Sequence, residues 1–211
     1  MNCALVLAAG SSKRMGTQKV LLPWGSTTVI AHIVDVLGRC ALDEIVVVVG
    51  HEGEQVAKAL SGRAVRIVEN PRHAEGMLSS VRCGLRALPE SCETVLVALG
   101  DQPGLSEEAV QSVLEAFAGT GKGIIVPVHG GRRGHPLLFA HRYAGEVLSR
   151  HDEVGLRGLL ADHPDDILEL PVSSPSVISD MDTPEDYRRE LASQQEDPGS
   201  ERSRVPWKPI S

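Results

Sequence analysis

The feature that most constrains the fold is a regular alternation of short apolar runs with segments of helical period. Five apolar runs recur, most of them continuous: Cys3–Leu7, Ile45–Val49, Val65–Val68, Val95–Leu99 and Ile124–Val128. Such runs are typical of strands buried on both faces of a parallel sheet. Between them, apolar stripes at helical spacing occupy residues 29–37, 56–60, 78–88 and 110–117. This order predicts an α/β fold, a Rossmann-like three-layer αβα sandwich with a mostly parallel sheet and right-handed crossovers.

The second half of the chain is less regular. Beyond Val128 the pattern predicts short elements between turns: strands at Pro136–Ala140, Ile167–Leu170 and Ser176–Ser179, and helices at Tyr143–Ser149 and Gly155–Ala161. Thr183-Pro184-Glu185-Asp186 is typical of a helix start, with an N-cap Thr, then Pro, then acidic side chains. From Ser193 the sequence is rich in Ser, Gln, Glu and Pro. We therefore predict a folded domain over residues 1–192 and a disordered tail over residues 193–211.

The composition limits the classes of partner. The 211 residues carry 21 basic and 28 acidic side chains, a formal net charge of −7, which argues against a nucleic-acid-binding face. No stretch approaches the roughly 20 apolar residues that a membrane span requires, so no membrane partner is expected. The four cysteines form no CxxC pair. Scattered cysteines of this kind favour reduced thiols and a cytoplasmic protein over a zinc or dithiol site.

A loop rich in small and basic residues follows the first strand: Leu7-Ala8-Ala9-Gly10-Ser11-Ser12-Lys13-Arg14-Met15-Gly16-Thr17-Gln18-Lys19. Ligands of parallel sheets bind beyond the carboxyl ends of the strands, where small residues let the backbone N–H groups approach phosphate oxygens. The loop is neither a P-loop nor a dinucleotide fingerprint, because Gly16 is too far from Gly10 and Ser12 replaces the second glycine. An ordinary solvated turn is the alternative interpretation.

Acidic residues come at two further places. Asp101 comes one residue after the apolar run that ends at Leu99, separated from it by Gly100, so it is expected at the same sheet edge as the first loop. One or two carboxylates with phosphate oxygens suffice for Mg²⁺, although Asp101 could equally cap the turn before Pro103. Asp180 and Asp182 alternate, so they share a face in an extended segment. Capping of the following helix is the alternative for both.

Two other segments have the composition of binding loops. Asn70-Pro71 marks a turn, and Gly76 precedes a helix whose first turn holds Ser79 and Ser80; simple capping by either serine is the alternative. The segment His129-Gly130-Gly131-Arg132-Arg133-Gly134-His135-Pro136 is by itself a basic surface turn. Its arginines also suit a second phosphate, and its glycines suit a loop that closes on substrate.

These motifs together resemble a known family. Leu7-Ala8-Ala9-Gly10-x-Ser12-x-Arg14-Met15-Gly16-x-x-Lys19-x-Leu21-Leu22-Pro23 is similar to the opening motif of the MobA-like nucleotidyltransferases, and most similar to that of the molybdenum cofactor cytidylyltransferases. The resemblance implies a sheet of the nucleotide-diphospho-sugar transferase type. It implies nucleotide binding by Leu7, Ala8, Ala9, Gly10, Ser12, Arg14, Lys19, Gly76, Ser80 and Asp101, with Arg14 and Lys19 on the phosphates. It also implies Mg²⁺ binding by Asp101 and Asp182, and acceptor binding by Gly134, His135 and Pro136.

The activity implied by the resemblance is Mg²⁺-dependent transfer of CMP from CTP to a phosphorylated acceptor of the molybdopterin type, with release of pyrophosphate. Arg14, Lys19 and Asp101 are the catalytic candidates. Guanylyl-transferring relatives usually have Ala-Gly-Gly where this chain has Ala8-Ala9-Gly10, which favours CTP over GTP. The alternatives are a guanylyltransferase, a sugar- or polyol-phosphate cytidylyltransferase, and a non-catalytic carrier that delivers the nucleotide cofactor to a molybdoenzyme or acts as its insertion partner.

Overall fold

The computed structural model describes residues 1–10, 18–50 and 53–196. The strands in these ranges are β1 (Asn2–Ala8), β2 (Pro23–Trp24), β3 (Thr27–Thr28), β4 (Glu44–Val49), β5 (Arg66–Glu69), β6 (Thr94–Leu99), β7 (Ile124–His129), β8 (Arg132–Arg133), β9 (Leu137–Ala140) and β10 (Ile167–Pro171). The helices are α1 (Val29–Leu37), α2 (Gly53–Ala59), α3 (Met77–Ala87), α4 (Glu107–Thr120), α5 (Ala144–Ser149), α6 (Leu156–Asp162) and α7 (Pro184–Glu196). The five predicted strands of the first half correspond to β1, β4, β5, β6 and β7.

One mixed, mostly parallel sheet forms the centre of the molecule, as predicted. Its strand order is β10-β7-β9-β6-β1-β4-β5, with β8 paired to β7. Strand β1 pairs in parallel with both β4 and β6, β4 pairs in parallel with β5, and β10 pairs in parallel with β7. Strand β9 runs antiparallel between β6 and β7, and β8 forms an antiparallel hairpin with β7.

The sheet is covered on both faces, which explains the continuous apolar runs. Along β1, Ala4 and Val6 pack with α1, α2, α4 and α7, whereas Cys3 and Leu5 pack with α3, α5 and α6. These four side chains are fully buried. Because successive strand residues point to opposite faces, a strand with helices on both sides needs an apolar residue at every position. The three-layer αβα arrangement is thus confirmed.

One prediction for the C-terminal part was wrong, and one helix extends beyond the predicted domain boundary. Residues 176–179 are not a strand, because Pro175–Ile178 forms a 3-10 turn in which the Ser174 side chain accepts from the amide of Ser176. Pro and a capping Ser favour such a turn over a sheet strand. Helix α7 continues to Glu196, beyond the predicted end of the folded part at residue 192, because its last residues, Gln and Glu, are good helix formers. The rest of the predicted tail lies outside the described residues.

The chain path creates a crevice at the carboxyl edge of the sheet. From β1 the chain moves to β4 and β5 on one side and then returns to β6 on the other side of β1. Ligands of open α/β sheets bind where the strand order reverses in this way, so the crevice beyond β1 and β6 is the expected site. Within the described ranges, no helix combines the length and the apolar character that crossing a bilayer requires.

Candidate active site

A cleft of about 800 Å³ opens at this crevice. It brings together predicted site residues that are far apart in the sequence: Leu7, Ala8, Ala9, Gly10, Lys19, Gly76, Ser80, Asp101 and Asp182. Further lining residues were not predicted as site residues: Val20, His73, Ala74, Met77, Leu99 and Asp180. Ser12 and Arg14, both predicted to bind nucleotide, lie outside the described residues.

Backbone packing forms the inner wall of the cleft. Ala8 and Ala9 are almost completely buried. The amide of Gly100 donates to the carbonyl oxygen of Leu7, and a Cβ on Gly100 would lie 2.9 Å from that oxygen. Glycine is therefore required where β6 ends, directly before Asp101. This contact holds Asp101 beside the end of β1. A ligand bound by the loop that follows β1 is therefore within reach of the Asp101 carboxylate.

Lys19 connects the two predicted metal ligands. Its Nζ forms an ion pair with Asp101 and donates to Asp182 Oδ1 at 2.8 Å. The side chains of Lys19 and Asp101 are only 14% and 19% exposed, whereas that of Asp182 is 45% exposed and faces the mouth of the cleft. Two hard carboxylate oxygens converging beside an open cleft fit Mg²⁺ or a similar divalent cation, which completes its coordination with phosphate oxygens and water.

The charges in this group depend on one another. Burial of the Lys19 ammonium disfavours its charge, but Asp101 and Asp182 outweigh that effect and raise the pKa of Lys19. Burial raises the pKa of Asp101, and the neighbouring Lys19 offsets part of this increase while Asp180 adds to it. The site thus holds a charged lysine against Asp101, whose ionised carboxylate is destabilised by burial. An added positive charge beside Asp101 stabilises that ionised form.

Asp180 is a third carboxylate in the cleft. The sequence pattern suggested only that it shares a face with Asp182. In the structure it lines the cleft, and its Oδ1 accepts from Gln102 Nε2 at 2.7 Å. Gln102 is almost completely buried. Gln102 therefore orients Asp180. In the sequence, the only indication that Gln102 belongs to the site is its position next to Asp101, just after a strand.

The two serines of α3 have different environments. Ser79 Oγ hydrogen-bonds with the carbonyl oxygens of Arg72 and Gly76, at 2.9 and 2.8 Å. Ser80 Oγ accepts from the buried Asn70 amide at 3.0 Å and lines the cleft, where its own hydroxyl hydrogen can be donated to a ligand. Ser79 thus has the structural role. Gly76 adopts a φ of 102°, which favours glycine at the start of α3.

The predicted acceptor residues are not brought to the cleft wall among the residues that the structure describes. The amides of Gly134 and His135 donate to the carbonyl oxygens of Pro127 and Val177, each at 2.8 Å. This packing contradicts the expectation that Gly134 belongs to a flexible loop that closes on substrate. His135 lies behind β6, with Nδ1 3.3 Å from the carbonyl oxygen of Val97. Burial lowers the pKa of His135, while Asp180 and Asp101 raise it from across the site.

Comparison with known families accounts for this arrangement. The model of the MobA-like NTP transferase domain matches residues 4–167. The chain belongs to the MobA-like NTP transferase family. It is 28% identical over 187 residues to molybdenum cofactor cytidylyltransferase from Escherichia coli (strain K12), covering 87% of this chain and 92% of that protein. The resemblance stated from the sequence is confirmed, and the chain is a nucleotidyltransferase.

Solved structures show the same fold. Rv0371c from Mycobacterium tuberculosis H37Rv superposes with a TM-score of 0.79 at 29% identity, covering 91% of this chain and 98% of that chain. The same protein in complex with manganese gives a TM-score of 0.74 at 29% identity, over 90% of this chain and 98% of that one. Mth528, a nucleotidyl transferase from Methanothermobacter, gives 0.79 at 27% identity, over 92% and 97% of the two chains.

Proposed function

We propose that this chain transfers CMP from CTP to a phosphorylated acceptor of the molybdopterin type, with Mg²⁺, and releases pyrophosphate. The observation that carries the proposal is the convergence of Lys19, Asp101 and Asp182 beside the end of β1, in a cleft where a triphosphate can be neutralised. Similarity to molybdenum cofactor cytidylyltransferase supports the acceptor class, and Ala8-Ala9-Gly10 supports the choice of CTP. The manganese complex of a related protein supports a divalent cation.

The chain itself contributes positioning and charge. The backbone of Ala8, Ala9 and Gly10 lies against the nucleoside, while Gly76 and Ser80 contact the base from α3. Lys19, together with Arg14, neutralises the phosphates as pyrophosphate leaves. Asp101 and Asp182 hold the divalent ion, which when bound supplies charge neutralisation at the phosphate oxygens. Phosphate transfer needs little more than such preorganised positioning and charge.

The acceptor is assigned to the side of the cleft that holds Asp101 and Asp180, with the predicted residues Gly134, His135 and Pro136 behind the cleft wall rather than on it. His135 connects these predicted residues to the acids, because its ring lies against the backbone of β6 and interacts electrostatically with Asp101 and Asp180. All four cysteines are free, which supports placing the reaction in the reducing cytoplasm.

The test is pyrophosphate release with CTP and GTP in parallel, each with molybdopterin, with a polyol phosphate, and without acceptor. We expect turnover only with CTP, Mg²⁺ and the pterin. Asp101→Asn should lower turnover by about 10²-fold or more, the scale for a lost preorganised charge contact. Asp165→Asn alters an exposed aspartate that precedes β10 and is not among the residues lining the cleft, so it should leave turnover unchanged. Turnover only with GTP, or equally with the polyol phosphate, contradicts the proposed substrates. Binding of CTP without pyrophosphate release indicates a carrier.

A further inference from the structure

We propose that Lys19 and the divalent ion compete for the same carboxylates, so that the nucleotide must draw Lys19 away before the ion can bind tightly. The inference rests on the proposed function and concerns the regulation of its metal site. Lys19 then has two successive positions, first between Asp101 and Asp182 and then on the triphosphate.

The competition follows from the geometry of the ion pair. Lys19 Nζ contacts Asp101 Oδ2 and lies 2.8 Å from Asp182 Oδ1. These are the same two carboxylates that are assigned to the ion. A divalent ion bonds such oxygens at about 2.1 Å, using lone pairs that already accept from the ammonium. Ammonium and ion would also be close neighbours with like charges, and that repulsion is strong in a partly buried site. The two cations therefore exclude each other.

The alternative partner of Lys19 is the triphosphate. Lys19 is the last residue of the predicted phosphate loop and begins the short turn of residues 19–21, and its side chain lines the cleft. A triphosphate carries more negative charge than the two carboxylates together, and lysine is a common phosphate ligand. Movement of the ammonium from the acids to the phosphates removes its positive charge from beside Asp101 and Asp182. A divalent ion can then bind these two carboxylates when the nucleotide is bound.

This exchange makes metal binding and nucleotide binding cooperative. The ion binds weakly while Lys19 holds both acids, and tightly once the phosphates hold Lys19. Such coupling is reciprocal, so the ion also strengthens nucleotide binding by the same factor. Removing the ammonium should uncouple the two events and increase the affinity for the ion in the protein alone. Loss of a substrate-binding lysine would otherwise be expected to weaken every ligand.

The experiment measures Mn²⁺ binding by electron paramagnetic resonance on the full chain, with and without α,β-methylene-CTP, which cannot transfer CMP. Lys19→Met keeps the length of the side chain and removes the charge. Lys58→Met makes the same change at an exposed position of α2 and controls for the altered net charge. Asp182→Asn removes one acid of the site. The direct readout is the affinity for Mn²⁺, and turnover is measured separately.

Without nucleotide, we expect Lys19→Met to bind Mn²⁺ about tenfold or more tighter than the wild type, because one positive charge beside the ion is removed. The nucleotide analogue should tighten Mn²⁺ binding in the wild type and in Lys58→Met, but little in Lys19→Met. Asp182→Asn should weaken it throughout. Equal affinity of Lys19→Met and wild type without nucleotide overturns the proposal. Tighter Mn²⁺ binding by Lys19→Met, together with no transfer from CTP or GTP by the wild type, would uphold the exchange and reject the proposed function.

Discussion

At the scale of single residues, Gly134 is placed by close packing rather than by flexibility. A Cβ at this position would lie 2.1 Å from the carbonyl oxygen of Val177, and its amide already donates to Pro127. The 3-10 turn Pro175–Ile178 is therefore held against the end of β7, and Asp180 follows that turn by two residues. The glycine supports the acidic side of the cleft from behind.

We predict that Gly134→Ala lowers the free energy of unfolding by about 1–3 kcal/mol, because overpacking against backbone forces a local shift. Gly119→Ala in α4 is the matched control, since an added Cβ there meets no atom within 4 Å. It should be neutral or slightly stabilising, because alanine is the better helix former. Urea unfolding of both variants checks this. Equal stability of Gly134→Ala and wild type would show that the turn moves freely.

At the scale of elements, α1 and α2 are joined by a charged pair. Arg63 follows α2 and donates through Nε and Nη2 to both carboxylate oxygens of Asp35 in α1, at 2.7 and 2.8 Å. The third Arg63 nitrogen, Nη1, donates to the carbonyl oxygen of Ala59, the last residue of α2. These hydrogen bonds from Arg63 lower the pKa of Asp35 from its usual 3.8. The pair ties two helices of the same layer across the surface.

The pH dependence of this tie has a definite sign. Because the folded pKa of Asp35 is lowered, its contribution is complete above pH 3.8 and is lost as the pH falls through the folded pKa. Solvent screening limits that contribution to about 0.5–1 kcal/mol. We predict that Asp35→Asn loses this amount at pH 7 and that the difference from wild type shrinks towards pH 3. Urea midpoints across this range test it, with Glu153→Gln as an exposed control. A constant difference would contradict the assignment.

Among the strands and helices, the sequence predicts those whose type is determined by the spacing of apolar residues. The buried parallel strands and the helices between them are read correctly, because each strand must be apolar on both faces. The antiparallel direction of β9 is not, since four apolar residues, Leu137–Ala140, carry no information about direction. Likewise, residues 176–179 include the β-branched residues typical of a strand, but Pro175 and the capping side chain of Ser174 favour a 3-10 turn instead.

At the scale of the whole molecule, chain order and sheet topology explain why many of the residues predicted for the site line one cleft. Residues after β1, before α3 and after β6 must meet at one sheet edge, so their convergence follows once the strands are assigned. The ion pairs of Lys19 with Asp101 and Asp182 join the two ends of the domain. Charge type together with the family resemblance predicted phosphate and metal contacts, but this information could not predict that these residues contact one another. Nor could it predict that Gln102 orients Asp180.

The C-terminal helix closes the domain onto its N-terminal part. Tyr187 of α7 is buried and donates from its hydroxyl to the carbonyl oxygen of Pro23 in β2, at 2.6 Å. Thr183 and Asp186 cap the helix reciprocally, the Thr183 hydroxyl accepting from the amide of Asp186 while the carboxylate accepts from Thr183. Fully buried Met181 precedes the cap. Helix α7 is thus part of the core layer that contains α1, and it also anchors the segment that carries Asp182.

We predict that a chain ending at Glu196 keeps the unfolding free energy and the turnover of the full chain, whereas a chain ending at Asp186 loses both. The shorter chain lacks Tyr187, whose burial is worth about 2 kcal/mol or more on the usual scale for a large apolar side chain, and its helix lacks the length to be stable. Because Asp182 would then lie next to a frayed end, metal-dependent turnover should fall before global unfolding is complete. Urea unfolding and pyrophosphate release on the two truncated chains measure this. Loss of turnover on truncation at Glu196 would instead show that residues 197–211 contribute to the site.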